Sequence, residues 1–253
     1  MKWWMWSGGV VLCAATIVTG QNASRPAGSA SQTIAVRQAL KPLQVVVGRW
    51  KGNTFRENAI HDAAWAWDYK TDPAHPALVM TSAKNPFFRE ARLTFDPPTK
   101  KYVLILTGPK DSVRRLEGAF TEEPHDIVGD DGRSLQRSYE LQLEQVEPKT
   151  GERWRVTLDQ QENNRFLFEL ARRRGTAPFR QFDTVSEQRE GTSFALTEEG
   201  YGEKTCVISG GLGTMTVSHK GRTYYVCCSG CKAAFEDDPE KWIAEYEKNK
   251  AAK

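Results

Sequence analysis

A chain of 253 residues with 39% hydrophobic, 26% charged and 10% aromatic content has the composition of one or two globular domains, which excludes the disordered, collagenous and multi-span membrane classes. Lys plus Arg number 35 against 32 Asp plus Glu, and the net charge of +3 comes with no long block of like charges, so nucleic acid is disfavoured as a partner. The cysteines are unevenly placed: Cys13 stands in the first apolar run, while Cys206, Cys227, Cys228 and Cys231 crowd near the C-terminus.

No charged residue falls between Trp3 and Ser24, Lys2 supplies a positive start, and Val10 to Val18 is an apolar core of signal-peptide length. An export signal over residues 1–20 is expected, with Val18 and Gly20 at the two positions that a peptidase reads and cleavage before Gln21. Lipidation is disfavoured, because Leu12 rather than a small residue precedes Cys13. The alternative is a retained membrane anchor, which wants about 20 strongly apolar residues. Ser7, Gly8, Gly9 and Thr16 dilute this run. On either reading the body of the protein is periplasmic or extracellular, and cleavage would leave no stable membrane span. Residues 21–38, rich in Ala, Ser, Gln and Thr with Pro26 and Gly28, read as a flexible linker.

From 39 to 199 the apolar pattern mostly alternates, the period of half-buried strands. Tyr102, Leu104 and Leu106 share one face, with Val103, Ile105 and Thr107 on the other. Tyr139, Leu141 and Leu143 alternate with Glu140, Gln142 and Glu144. Pro148 to Gly151 turns the chain into Trp154, Val156 and Leu158, and Glu162 to Asn164 turns it again into Phe166, Phe168 and Leu170. Hairpins in series predict an antiparallel meander closing as a barrel or packing as a sandwich. Leu43, Gly48, Arg49, Trp50, Lys51 and Gly52 resemble the Gly-x-Trp signature that opens lipocalin-like barrels, where the Trp plugs one end. The strands that follow resemble lipocalin-like and nitrobindin-like domains of exported proteins. A nitrobindin-like haem site would need a histidine on a late strand, whereas His125 falls in the turn-like stretch Pro124 to Gly132, so haem is disfavoured.

Catalytic patterns are missing from this segment: there is no Ser, His and Asp set, Gly-rich phosphate loop or His-x-x-x-His spacing. No catalytic residue is assigned. His61 and His75, with Asp62, Asp68 and Asp72, lie in a region read as a polar loop in preference to a loose metal or acid site. Arg172, Arg173 and Arg174 read as a solvated strand edge that blocks association.

Beyond the glycines near 200 the composition changes. Residues 203–250 read as a small unit: a hairpin from Met215 to Val226 turning at Lys220 and Gly221, a short helix opened by Cys231, and a second helix with Asp238 as N-cap and Pro239 in first position. So small a unit needs a metal or disulfides to hold it. Cys206, the run His219 to Tyr225, the Cys227, Cys228, Ser229, Gly230, Cys231 knuckle, Phe235, and Asp238 to Trp242 resemble the TRASH and YHS family of metal-binding modules. The resemblance implies Cys206, Cys227 and Cys231 as ligands. Four-ligand members carry a further cysteine where this chain has Ser209, which leaves open whether Cys228, a carboxylate or water completes the site, or whether it is trigonal and suits Cu(I). Disulfides are the competing reading in an oxidising compartment, with redox cycling between the two states a third.

The sequence thus points to an exported protein that binds one Zn²⁺ or Cu(I) per chain as sensor, buffer or carrier, on a barrel scaffold with its own core. The alternative is a lipocalin-like carrier of an apolar small molecule with a structural zinc module. A metal-dependent enzyme is the weaker third reading.

Overall fold

The protein is seen as a computed structural model that describes residues 27–56, 58–129, 132–148, 150–190, 205–211, 213 and 215–251. The expected export signal, Cys13 and the glycines near 200 lie outside these residues. Ten strands form a closed antiparallel barrel: β1 (Gly48–Thr54), β2 (Ile60–Asp68), β3 (Ala77–Thr81), β4 (Glu90–Asp96), β5 (Lys101–Thr107), β6 (Val113–Val128), β7 (Leu135–Gln145), β8 (Glu152–Glu162), β9 (Arg165–Arg174) and β10 (Arg180–Arg189). Each strand pairs with its sequence neighbours, and β10 closes on β1 with Trp50 opposite Arg189 and Thr54 opposite Val185. A small cysteine unit follows: hairpin β11 (Met215–His219) and β12 (Arg222–Val226), then helices α2 (Ser229–Asp237) and α3 (Pro239–Ala251). The mainly β architecture matches the expectation.

Alternation fills the barrel. Tyr139, Leu141, Leu143, Val156, Leu158, Phe166, Phe168 and Leu170 are all buried. Trp65 lies parallel to Phe168 with ring centroids 6.1 Å apart, and Phe166 meets Phe168 edge-on at 5.1 Å. Burying such side chains stabilises the fold by about 1.5–3 kcal/mol apiece before entropy is counted. Trp50, near the start of β1, is buried. Its indole N–H donates to the Val46 carbonyl at 2.7 Å, and the Arg189 guanidinium lies 4.4 Å from its ring. Arg189 in turn donates to the carbonyls of Val47 and Asn163. Gly48 is needed beside them, because a Cβ there would lie 2.6 Å from Arg189 Nη1.

Three expectations change. Much of the stretch read as a flexible linker is α1 (Ala27–Leu40). Ala, Gln, Arg and Leu are good helix formers, and Val36 and Leu40 bury themselves against the barrel. The helix is tied to the barrel by Thr33 Oγ1 donating to the Pro73 carbonyl and by the Tyr102 hydroxyl donating to the Ala39 carbonyl. Second, the turn read at Pro124 starts later. Strand β6 continues to Val128, and Pro124 sits in a register shift between Glu122 and His125, where its missing N–H is tolerated. Third, the run Arg172 to Arg174 is an open edge only in part: Arg172 pairs with Trp154 of β8 and Arg180 of β10, while Arg173 and Arg174 pair with β8 alone.

The barrel and the cysteine unit do not have separate interiors. One apolar cluster runs from Trp65 and Trp67 through Cys206, Cys228, Cys231, Phe235 and Trp242.

Within the barrel, Gly52 lies between His61 on β2 and Glu187 on β10 as their common cross-strand neighbour. A Cβ at Gly52 would lie 2.2 Å from His61 Nε2. Gly52→Ala should therefore lower stability by about 1–3 kcal/mol through overpacking. Gly151→Ala, with open space around it, should stay within about 0.5 kcal/mol of the parent. Urea unfolding of both variants checks this, and equal midpoints would show that His61 yields without cost.

Candidate metal centre

Three segments deliver the thiols. Cys206 opens a tight loop in which its N–H bonds the Gly211 carbonyl at 2.7 Å, and Val207 N–H bonds the Tyr225 carbonyl on β12 at 2.8 Å. Gly210, at φ +74°, makes the turn possible. Cys227 follows the end of β12 directly, and Cys228 is the extended residue that caps α2. Cys231 sits in the first turn of that helix, where the N-terminal dipole favours an anionic sulfur. The expected hairpin is present, with both turn residues, Lys220 and Gly221, at positive φ.

The sulfurs of Cys206, Cys227 and Cys231 all lie within 4.8 Å of one another, and among the described residues no histidine or carboxylate joins them at that range. Cys227 and Cys231 are 3.5 Å apart at sulfur, far beyond a disulfide bond, and all four cysteines of the unit are thiols. Ser209, in the position of the missing cysteine, points its hydroxyl at Cys227 Sγ at 3.3 Å, while its N–H donates to Cys206 Sγ at 3.5 Å. Cys228 stands beside the triad and turns toward the barrel, its sulfur accepting the Trp67 N–H at 3.4 Å.

The thiols polarise one another. Hydrogen bonds from Cys227 and Cys231 pull Cys206 and Cys228 well below the usual thiol range. Cys227 is pushed up by its bonds to Cys206 and Cys228, and Cys231 first by burial and then by the same neighbours. Four clustered sulfurs cannot all carry charge in an apolar setting, so two keep protons and bond the others. A soft cation fits this donor set: three sulfurs at short mutual range, mostly shielded from solvent and none of them in a disulfide.

The site is built partly by the rest of the chain. Arg37 of α1, in the stretch read as a linker, donates to the Ile208 carbonyl of the Cys206 loop at 3.0 Å. The same side chain pairs with Glu245 of α3 at 2.7 Å and lies 4.9 Å from the Trp242 ring. Tyr69 stacks between Trp67, at 5.4 Å, and Trp242, at 5.6 Å. Nothing in the pattern of residues 21–38 signalled Arg37, because a lone arginine in a polar stretch has no period to betray it.

The two histidines singled out in the sequence are not brought together. His75 bonds Asp72 at 2.9 Å and Gln32 at 2.7 Å in the loop after β2. His61 and Asp62 belong to β2 itself rather than to a loop. His61 points inside the barrel, its Nε2 3.2 Å from Asn85 Nδ2 and 3.7 Å from Glu187 Oε1. Burial pushes Glu187 up; it opposes the charge on His61 too, but the adjacent Glu187 carboxylate outweighs it and raises that group. His125 is on β6, near Glu122 at the surface.

No family model matches the chain, and no curated protein does. Among solved structures the chain is similar to the crystal structure of Rv2717c from M. tuberculosis, at 13% identity, covering 60% of this chain and 97% of that one with a TM-score of 0.39.

A Cβ on Gly230 would lie 1.6 Å from the Trp67 carbonyl oxygen, so α2 docks on β2 only because residue 230 has no side chain. Gly230→Ala should break the Trp67 to Cys228 hydrogen bond and raise hydrogen exchange at the Trp67 amide about tenfold or more, with exchange in β7 to β9 unchanged. Unaltered protection at Trp67 would mean that the contact is not what holds the cysteine unit in place.

Proposed function

We propose that the protein binds a soft or borderline heavy-metal ion, Zn²⁺ or Cu(I), one per chain, at Cys206, Cys227 and Cys231, and acts as a sensor, buffer or carrier outside the cytoplasm. The observation that supports this best is the convergence of three thiols within 4.8 Å, those of Cys206 and Cys231 buried and that of Cys227 half-buried, without a disulfide. The order of a cysteine loop, a hairpin and a helix N-terminus agrees with the YHS and TRASH resemblance in the sequence. The barrel serves as scaffold. Its buried core includes the large side chains of Trp50, Trp65, Phe166, Phe168 and Tyr139, as a scaffold with a filled core would. Among the described residues no helix is long and apolar enough to cross a membrane.

Anaerobically purified protein should bind one equivalent of Zn²⁺ or Cu(I), read by elemental analysis and by the thiolate charge-transfer band. Cys231→Ser should abolish stoichiometric binding, because it leaves too few thiolates. Cys228→Ser should keep the ion if the site is trigonal. Full retention in a Cys206, Cys227 and Cys231 triple serine variant would put the metal elsewhere.

Export carries its own check, resting on the uncharged run from Trp3 to Ser24. The intact mass of protein recovered from its native host should lack about twenty N-terminal residues. A full-length mass in the membrane fraction would favour the anchor.

A further inference from the structure

Strands alternate in direction around the barrel, so the end of β2 at Trp67, where the cysteine unit docks, is opposite the end at which β9 finishes and β10 begins. At that far end a surface cleft of about 530 Å³ is bordered by Arg56, Arg172, Arg173, Arg174 and Arg180, with Glu152 as the one carboxylate in its wall. We infer that this cleft is a binding site for a small oxyanion carrying two or more negative charges, of the carboxylate or phosphate type.

Charge balance is the first reason. Elsewhere on the barrel, arginines are neutralised at close range, as in Arg155 with Glu144 at 2.8 Å and Arg137 with Asp126 at 3.0 Å. In the cleft, Arg172 and Arg174 share Glu152 at 3.6 Å each, and Arg56, Arg173 and Arg180 have no ion-pair partner among the described residues. Crowding like charges costs free energy that a multiply charged anion would return. The second reason is preorganisation. Arg173 lies 4.5 Å from the Phe179 ring and Arg172 5.0 Å from Phe182, so aromatic faces help hold the guanidinium planes while their N–H forks stay available for two-point bonds to an oxyanion. Arg173 Nε is buried without an acceptor, which is a cost in the unliganded protein. The cleft volume falls in the range of small-molecule sites, roughly 300–1,000 Å³. Ala177, Pro178 and Phe182 give it an apolar side against which the carbon skeleton of an organic anion could rest.

The test titrates the full chain with succinate and, separately, with inorganic phosphate, following the arginine Nε–H resonances by NMR at two salt concentrations. Saturable binding that weakens with salt and falls about tenfold or more in Arg173→Gln/Arg180→Gln supports the assignment. The tighter of the two probes then tells carboxylate from phosphate. Retained thermal melting shows that the double variant is folded, and Arg137→Gln, away from the cleft, should bind as the parent does. Absence of saturable binding to either probe, equal affinity in the double variant, or binding to heparin alone would overturn it.

Discussion

A single residue at the end of one strand joins the barrel to the cysteine site. Strand β1 pairs with β2 only as far as Trp65, so the backbone of Trp67 projects past it without a strand partner on that side. Its N–H goes to Cys228 Sγ, and its carbonyl occupies the space that Gly230 leaves empty. An unpaired backbone group at a buried position costs about 1–3 kcal/mol, so the α2 N-terminus stabilises the barrel while being positioned by it. Tyr69, Trp242 and Arg37 then extend the contact, tying β2, α3, α1 and the Cys206 loop to one apolar interior.

That packing framework helps to bring the three thiol-bearing segments together. A free-standing unit of this size would have to gain its order from the metal, since it has too few apolar side chains of its own. Here Cys206, Cys228, Cys231, Phe235 and Trp242 lie in the same cluster as the barrel tryptophans, so part of the ordering cost is met by packing. Gathering the sulfurs has an electrostatic consequence. Deprotonating all of them in so apolar a place is unfavourable, and the mutual hydrogen bonds of the thiols share out the protons instead.

The barrel was legible because its signal is periodic. Alternation over Tyr139 to Leu143, Trp154 to Leu158 and Phe166 to Leu170 has a period of two, and burial follows it. The three thiol positions were legible through the resemblance of their segment to the YHS and TRASH modules. What escaped has no period. Arg37 acts through one guanidinium reaching three partners, and α1 has a polar composition that spacers share. Gly52 and Gly230 matter through the side chain they lack, and a sequence cannot say which His61 ring or Trp67 carbonyl will fill that space. The arginines of β9 were read as an edge because the local pattern of a strand does not show which strands flank it; the pairing of β10 with β9 covers Arg172 and stops there.

The contact between Trp67 and Cys228 also bears on which ion the site suits. A trigonal arrangement of Cys206, Cys227 and Cys231, the geometry favourable to Cu(I), would take from Cys228 the hydrogen bonds of Cys227 and Cys231 but would leave the Trp67 amide bonded where it is. A tetrahedral Zn²⁺ site needs a fourth donor. Ser209 is a poor one, and its hydroxyl is already within 3.3 Å of Cys227 Sγ. Cys228 is the better donor by chemistry, but drawing its sulfur into the triad pulls on the hydrogen bond that seats α2 against β2. Coordination number at a bound metal would therefore be coupled mechanically to the joint between the two halves of the protein: three-sulfur binding would leave the joint as it is, and four-sulfur binding would strain it.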